Sequence, residues 1–423
     1  MQRKELRGGA ALTVLAADHF KTCRITINFI LPSQRQTATD LSLLPMVLER
    51  GYADCPDMTE LSRRLAALYG ASLSTDSTTQ GENRIVSISI GGLKDRFALH
   101  GEALSAGYAD ILFGTAFDPS LPGGLFDGEA VEIEKQKLRE ILEGEINNKR
   151  SYCIQQAQRL FLGDSPAGIE RNGYLADLPG VTPATLTAAY RQMVRTARIE
   201  VLVLGADAQE VERRLLQKLD ALDRAPAAIC PAVAMPAAAP VVRTETVDTV
   251  QSKLCLVFTA GRVLTRQEMD HMRLAAALLG GLPSSRLFRN VREKQSLCYY
   301  CSCGFSYLIS ALTVDSGIDP QNNERARQAI LAELAALVQG PISEREMEET
   351  RVAYISSLRA VGDSLAAMEL WAVREILRGS FAEPEEVERS IAAATADDLR
   401  RVLGLLSLSV SYLLTKGETT DGD

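Results

Sequence analysis

The sequence predicts an α+β protein made of two homologous domains, each a mixed, mainly antiparallel sheet packed with helices. Two observations lead to this prediction. The order strand, helix, strand pair, helices and final strand occurs once in each half of the 423 residues, as expected of a duplicated unit. Between the halves, the run R-A-P-A-A-I-C-P-A-V-A-M-P-A-A-A-P has no amphipathic period and is typical of an extended linker. We therefore predict domains at 1–223 and 245–423, joined by a linker at 224–244.

Apolar periodicity and capping residues predict the individual elements. The first two strand-like runs, within residues 1–18 and at 20–31, are expected to form an opening hairpin. Further strands are expected at 85–90, 199–204, 253–259, 298–307, 311–318 and 408–414. Helices are expected at 39–51, 57–70, 128–152, 266–279 and 320–338, with others starting after Thr182 and Ser343. The final run K-G-E-T-T-D-G-D is typical of a frayed tail.

Charge and hydropathy narrow the class of protein. The formal net charge of -8 and the pI near 5.3 argue against a nucleic-acid or anionic-membrane partner. No apolar run reaches the length of a membrane span. The N-terminal run has features of a weak signal peptide, but Thr13 interrupts it and Asp18 follows, so an opening strand is the better interpretation. We expect a cytoplasmic protein.

The eight cysteines lie mostly in apolar or strand-like runs and are expected to be buried, reduced thiols. Three of them cluster at Cys298, Cys301 and Cys303. Because a second pair of ligands is missing there, the cluster does not predict a metal or redox site.

The most distinctive segment, residues 280–300, reads G-G-L-P-S-S-R-L-F-R-N-V-R-E-K-Q-S-L-C-Y-Y. Together with the two-domain order, it resembles the second half of the insulinase/pitrilysin-type peptidases, the inverzincins. The resemblance implies that Arg292 and Tyr299, seven residues apart, are the pair that supports the substrate carbonyl in that family. A guanidinium and a phenol offer fixed donors that suit a developing oxyanion. The alternative is a structural pair in which the arginine stacks on an aromatic ring.

The family's zinc site is H-x-x-E-H on the first helix. Two histidines four residues apart lie on one helix face and bind one zinc ion, while the glutamate activates a water. The corresponding stretch here is T-D-L-S-L-L-P-M-V-L-E-R-G. Its two histidine positions are Ser42 and Met46, and its glutamate position is Pro45. Pro45 also deletes a helix hydrogen bond and predicts a kink.

The third zinc ligand of the family is a glutamate that follows another acid by seven residues. Glu134 matches the first acid, which places the ligand at Ile141. Glu140 is one residue away and turned by about 100° on a helix, so it does not substitute. The three histidines, His19, His100 and His271, lack ligand spacing. We therefore predict that no metal and no other cofactor is bound.

The resemblance then implies a catalytically inactive subunit. It would pair with a zinc-bearing homologous peptidase chain and help to bind a peptide or an unfolded protein segment in a shared chamber. Strand addition to a sheet edge would suit such binding. The chain also resembles a bacterial subgroup of zinc-less relatives named for 5-aminopentanol modification of elongation factor P.

Two other functions remain open at this point. One is a homodimeric, non-catalytic scaffold or peptide-binding protein. The other is an enzyme with a different site, although the sequence contains no G-x-S-x-G elbow, no P-loop and no dinucleotide-binding glycine pattern.

Overall fold

The computed structural model describes residues 1–417, which form two compact units. Unit 1 comprises Met1–Glu143, Ile169–Cys230 and Ser364–Phe381. Unit 2 comprises Gly144–Gly168, Pro231–Asp363 and the chain from Ala382. Each unit contains one mixed sheet with packed helices, so the predicted α+β class is confirmed.

The units take segments from both halves of the chain, whereas the predicted domains were continuous. The domain limits 1–223, 224–244 and 245–423 therefore stay a prediction. Residues 224–240 form neither helix nor strand, and the last four residues of the predicted linker lie in a strand. The end of the predicted frayed tail, residues 418–423, lies outside the described residues.

The strands alternate with helices along most of the chain. The strands are β1 (Gln2–Glu5), β2 (Ala10–Leu15), β3 (Thr22–Pro32), β4 (Ser72–Gln80), β5 (Asn83–Leu93), β6 (Arg198–Leu204), β7 (Val241–Thr246), β8 (Ser252–Thr259), β9 (Cys298–Ser306), β10 (Ala311–Ile318) and β11 (Ser407–Thr415). The α-helices are α1 (Ala38–Leu48), α2 (Met58–Ala67), α3 (Leu104–Phe117), α4 (Gly128–Gly144), α5 (Lys149–Leu162), α6 (Pro183–Thr196), α7 (Ala208–Asp220), α8 (Arg266–Ala276), α9 (Asn323–Gln339), α10 (Glu344–Arg359), α11 (Leu365–Arg378), α12 (Pro384–Ala393) and α13 (Ala396–Leu403).

The sheet of unit 1 has the order β1-β2-β6-β3-β5-β4. Only β2 and β6 are parallel among its described pairs. The predicted opening hairpin is wrong, because β6 lies between β2 and β3, and β2 instead forms its hairpin with β1. One face of the sheet buries Ile25, Ile27 and Phe29 in the main apolar core of the unit.

The sheet of unit 2 has the order β7-β11-β8-β10-β9. Strands β7 and β11 are parallel, and the other pairs are antiparallel. Helix α5 covers one face of this sheet, where Cys153 and Ala157 pack with Val257 and Tyr412 in a small apolar cluster. Chain order alone places α5 in the first half, so this packing is an exchange of a helix between halves.

The single helix predicted at 128–152 is also wrong. Helix α4 ends at Gly144, a 3-10 turn covers Glu145–Asn147, and α5 starts at Lys149. The side chain of Asn148 accepts a hydrogen bond from the Ser151 N–H at 3.1 Å and so caps the new helix. The break allows α4 to remain in unit 1 while α5 packs in unit 2.

Candidate functional site

Helix α1 lies at the position where the family resemblance places the metal-binding helix. Nine of its eleven residues are buried. The helix continues through Pro45 to Leu48, so the proline does not end it. The Pro45 carbonyl accepts hydrogen bonds from the Glu49 N–H at 3.1 Å and from the Thr75 hydroxyl at 2.9 Å. Pro45 is thus a packing residue that joins α1 to β4, and it has no proton-accepting side chain with which to activate a water.

Ser42, at the first histidine position, is engaged in hydrogen bonds within the protein. Its hydroxyl lies 2.7 Å from the Ala38 carbonyl oxygen and 2.8 Å from the Arg171 carbonyl oxygen. It also accepts a hydrogen bond from Arg84 Nη1 at 3.3 Å. The side chain is buried, and its hydroxyl oxygen is surrounded by these three protein partners.

The other two ligand positions are apolar. Met46 packs against the core of unit 1, and Ile141 on α4 is 46% exposed. The preceding acid, Glu134, is buried and accepts hydrogen bonds from Arg50 and Lys137, each at 2.8 Å. Its carboxylate is therefore committed to two cations.

Zinc requires about four nitrogen, sulfur or oxygen ligands in tetrahedral arrangement. The four family positions provide one buried hydroxyl, a proline, a thioether and an exposed isoleucine. Across residues 1–417, no group of three or more His, Cys, Asp or Glu side chains is arranged to hold a metal ion. The residues present do not fit the zinc ion of the family.

A buried arginine that the sequence pattern did not single out lies beside Ser42. Arg84, near the start of β5, is 1% exposed. Burial lowers the pKa of its guanidinium to about 10. A charged residue inside the apolar run N-R-I-V-S-I-S-I was the signal that could have drawn attention to it, because arginine is seldom fully buried without a dedicated set of partners.

Arg292 lies in unit 2 on a π-helical segment, Leu287–Lys294. Such segments are rare and often occur at functional sites. The guanidinium of Arg292 stacks on the Phe288 ring, 4.5 Å from its centroid. The side chain is exposed, and the described residues provide it with no hydrogen-bond acceptor and no ion-pair partner. Its donors therefore remain available to a ligand.

Tyr299 is the second residue of β9, and it is 53% exposed. The pairing of β9 with β10 shifts by one residue at this point, because Tyr300 pairs with Gly317 and Cys298 pairs with Ile318. The extra residue, Tyr299, forms a bulge, a feature that re-aims side chains at sheet edges. The guanidinium of Arg292 stacks on the ring of Phe288 and not on that of Tyr299.

The same bulge brings Cys298 and Cys301 to one face of the sheet, although three residues would normally place them on opposite faces. The Cys301 thiol hydrogen-bonds to Cys298 and, helped by the Ser316 hydroxyl and the Arg292 charge, lowers the pKa of Cys298 to about 7 against the effect of burial. The spacing C-Y-Y-C was visible in the sequence, but the bulge was not. All eight cysteines are free thiols.

Comparison with known proteins tests the family resemblance. The family model described as "Peptidase M16 inactive domain" matches residues 180–354. The "Probable inactive metalloprotease YmfF" of Bacillus subtilis (strain 168) is 24% identical over 412 residues, which is 97% of each chain. The resemblance to the insulinase-type peptidases is confirmed. The chain is thus similar in sequence to proteins described as inactive M16-type peptidases, and its own residues lack the zinc ligands of that fold.

Solved structures agree with this M16-like fold over the full chain. A conserved protein from Enterococcus faecalis V583 is 28% identical with a TM-score of 0.89, covering 100% of this chain and 99% of its own. A protease from Helicobacter pylori is 13% identical with a TM-score of 0.79 and 98% coverage of both chains. A peptidase M16 inactive domain from Pseudomonas fluorescens is 15% identical, with a TM-score of 0.79 and coverage of 100% and 99%.

Proposed function

We propose that this chain is a cytoplasmic, non-catalytic subunit that pairs with a zinc-bearing homologous peptidase and helps to hold its peptide substrate. The observation that carries the proposal is the replacement of every zinc-site residue of the M16 fold, with Ser42, Pro45, Met46 and Ile141 in their places. A chain that keeps the fold without the metal ligands is suited to binding rather than to hydrolysis.

The Arg292 and Tyr299 side chains support a role in peptide binding. Both are exposed in unit 2. The guanidinium and the phenol each carry donors that suit a peptide carbonyl oxygen. The stacking on Phe288 holds the Arg292 side chain in place without using its N–H donors, because a cation–π contact engages the face of the guanidinium. The alternative, a purely structural role of this pair, predicts that its removal changes stability and leaves peptide binding intact.

The sheet edges offer a second element of peptide binding. Strand β4 lies at one edge of the unit 1 sheet, and β9, which carries Tyr299, lies at one edge of the unit 2 sheet. An edge strand presents unpaired N–H and C=O groups that can pair with an extended peptide. Main-chain pairing of this kind is tolerant of sequence, which suits a subunit that receives an unfolded segment.

Within the described residues, no helix combines the length and the apolar character that a bilayer span requires.

The link between this chain and elongation factor P modification, which the resemblance to the zinc-less subgroup implied, stays a prediction.

The first experiment is native mass spectrometry with metal analysis on the protein isolated from its own host. We expect a heterodimer near twice the 46.0 kDa chain mass, with about one zinc ion carried by the other chain. The other chain is then sequenced by mass spectrometry and assayed for peptide cleavage with and without this chain.

A metal-free homodimer would favour the scaffold function and overturn the pairing with a peptidase. Zinc bound to this chain itself would contradict the loss of the metal site. A heterodimer whose partner lacks zinc-binding residues would equally contradict the proposal, because neither chain would then be catalytic.

A further inference from the structure

The guanidinium of Arg84 is held by four neutral oxygen atoms of unit 1. Nη1 donates to the Ser77 hydroxyl at 3.1 Å, to the Ser42 hydroxyl at 3.3 Å and to the Arg171 carbonyl at 2.5 Å. Nη2 donates to the Glu170 carbonyl at 2.8 Å. These acceptors come from α1, from β4 and from the segment that follows Gly168, so one cation joins three parts of the fold.

The segment at 170–174 is fixed against α1 by further contacts. The Thr39 hydroxyl accepts a hydrogen bond from the Tyr174 N–H at 3.1 Å. Gly173 has a φ of +76°, and a Cβ atom there would lie 2.6 Å from the Thr39 Cα. Glycine is therefore required at this close approach. The two carbonyl oxygens that bind Arg84 thus belong to a positioned segment.

The location of this cation is informative because of Ser42. The family resemblance places a zinc-binding histidine at this residue, and the Ser42 hydroxyl is itself one of the Arg84 acceptors. An imidazole is longer than a hydroxymethyl group, so a histidine here would extend into the space taken by the guanidinium and the Arg171 carbonyl. A zinc ion on such a histidine would lie next to a buried positive charge, which like-charge repulsion opposes.

We infer that the buried guanidinium of Arg84 occupies the place of the family's zinc ion. It serves as a built-in cation that ties α1 to β4 and to the 170–171 segment. The loss of metal binding is therefore more than a loss of ligands. The Arg84 side chain of β5 takes the space of the metal ion and supplies a positive charge there. Restoring the ligands while Arg84 stays in place does not restore zinc binding.

The test restores the ligands by four substitutions, Ser42→His, Pro45→Glu, Met46→His and Ile141→Glu. This restored chain is prepared with Arg84 unchanged, with Arg84→Lys and with Arg84→Gln. Lysine keeps the positive charge, and glutamine removes it while still offering N–H donors to the carbonyls. After dialysis against zinc sulfate, zinc per chain is measured by mass spectrometry, and circular dichroism verifies the fold.

We expect about one zinc ion per chain with Arg84→Gln, and at least about tenfold lower occupancy with Arg84 unchanged or with Arg84→Lys. Equal zinc in all three chains overturns the inference. Absence of zinc from all three also overturns it, because removal of the charge would then not have opened the site.

A smaller set of variants covers the case in which four substitutions unfold the chain. Ser42→His with Met46→His places two histidines at i and i+4 without disturbing Pro45. Titration calorimetry with zinc sulfate is expected to give at least about tenfold tighter binding when Arg84→Gln is added. Equal affinity with and without Arg84→Gln contradicts the inference.

Discussion

Arg150 Nε lies 2.6 Å from Asp315 Oδ2, and this ion pair joins α5 to β10 in unit 2. The Ser302 hydroxyl donates to the same carboxylate at 3.1 Å. Unit 1 contains a counterpart, an ion pair between Glu369 of α11 and Arg24 of β3. The helix provides the base in one unit and the acid in the other. In both units the helix comes from the opposite half of the chain, and the ion pair links it to the sheet of its unit.

Asp315→Ala is expected to lower the free energy of unfolding by about 1–2 kcal/mol. The substitution removes the acceptor of the Arg150 and Ser302 hydrogen bonds, but the Arg150 side chain is 50% exposed and regains water. Urea unfolding with a probe of unit 2 measures the change. Asp248→Ala, an exposed acid of the same unit, is the control and should fall within about 0.5 kcal/mol of the natural chain. Equal stability of the two variants would mean that the ion pair does not anchor α5.

Local sequence signals predicted those elements whose ends depend on neighbouring residues. Thr182 caps α6 and Ser343 caps α10, as the predicted helix starts required, and each forms a capping box. The packing of α5 in unit 2 and of α11 in unit 1 was not predictable in this way. The local sequence of a helix does not specify which sheet the helix will cover. The hairpin of β2 and β3 failed for the same reason, since the intervening strand β6 arrives from far along the chain.

The candidate site likewise has one part that the local sequence predicted and one part that depends on residues distant in the chain. The absence of zinc ligands at Ser42 and Met46 was visible in the sequence, because the motif has fixed spacing. The contact of the Arg84 guanidinium with Ser42 was not visible in the sequence. Arg84, Ser42 and the 170–171 segment are distant in sequence and meet only in the folded unit. A buried charge inside a strand-like run is a signal of such a network but does not name its partners.

Gly280→Ala is expected to destabilise the chain by about 1–3 kcal/mol, the usual cost of overpacking. Gly280 is the fourth residue of a π-helical turn, Ala277–Gly281, that packs on β9. An added Cβ would lie 2.7 Å from the Cys303 Cβ and 2.9 Å from the Leu287 Cδ1. Gly304→Ala is the matched control on β9, since nothing lies within 4 Å of its added Cβ. Thermal unfolding of both variants decides the matter, and a Gly280→Ala chain as stable as the control would contradict the packing described here.

The lowered pKa of Glu346 predicts that the free energy of unfolding decreases in acid. Burial acts to raise its pKa, but hydrogen bonds from Arg286 and from the Ser343 backbone and hydroxyl lower it from 4.5 to about 2. Because the folded pKa is the lower one, its stabilisation is present above about pH 4.5 and is lost as the pH falls towards about 2. Glu346→Gln is expected to cost about 1–2 kcal/mol near neutral pH, discounted for partial exposure.

The cost of Glu346→Gln should shrink as the pH falls below about 4.5 and approach zero only below about pH 2, where the natural carboxylate is also protonated in the folded state. Urea unfolding across this pH range measures the difference. Glu344→Gln, at an exposed position in the same first turn, is the control for loss of a charge alone. A cost of Glu346→Gln that is constant with pH would show that the charge is not the source of the stabilisation.

Cys298 is expected to react with iodoacetamide as a thiolate with a midpoint near pH 7, since its pKa is lowered to about 7. Burial raises the pKa of Cys230 instead, so its rate should still rise at about pH 9. Peptide mass mapping after timed alkylation follows each cysteine separately. Cys301→Ala removes the hydrogen bond to Cys298 and should move the midpoint upward. A natural chain in which both cysteines share one midpoint would contradict the thiol pair.

In the proposed complex of this chain with a zinc-bearing peptidase, Arg292→Ala is expected to lower kcat/KM for cleavage of fluorescein-labelled casein by at least about tenfold, because the guanidinium donors to the peptide carbonyl are lost. Tyr299→Phe removes one hydroxyl donor and should give a smaller loss in the same assay. Lys294→Ala is the matched control, since it removes an exposed cation of the same π-helical segment that is not part of the pair. Native mass spectrometry of each variant verifies assembly. If Arg292→Ala assembles and cleaves as fast as the control, the pair is structural, and the scaffold function becomes the better explanation of a chain that has kept the peptidase fold without its metal.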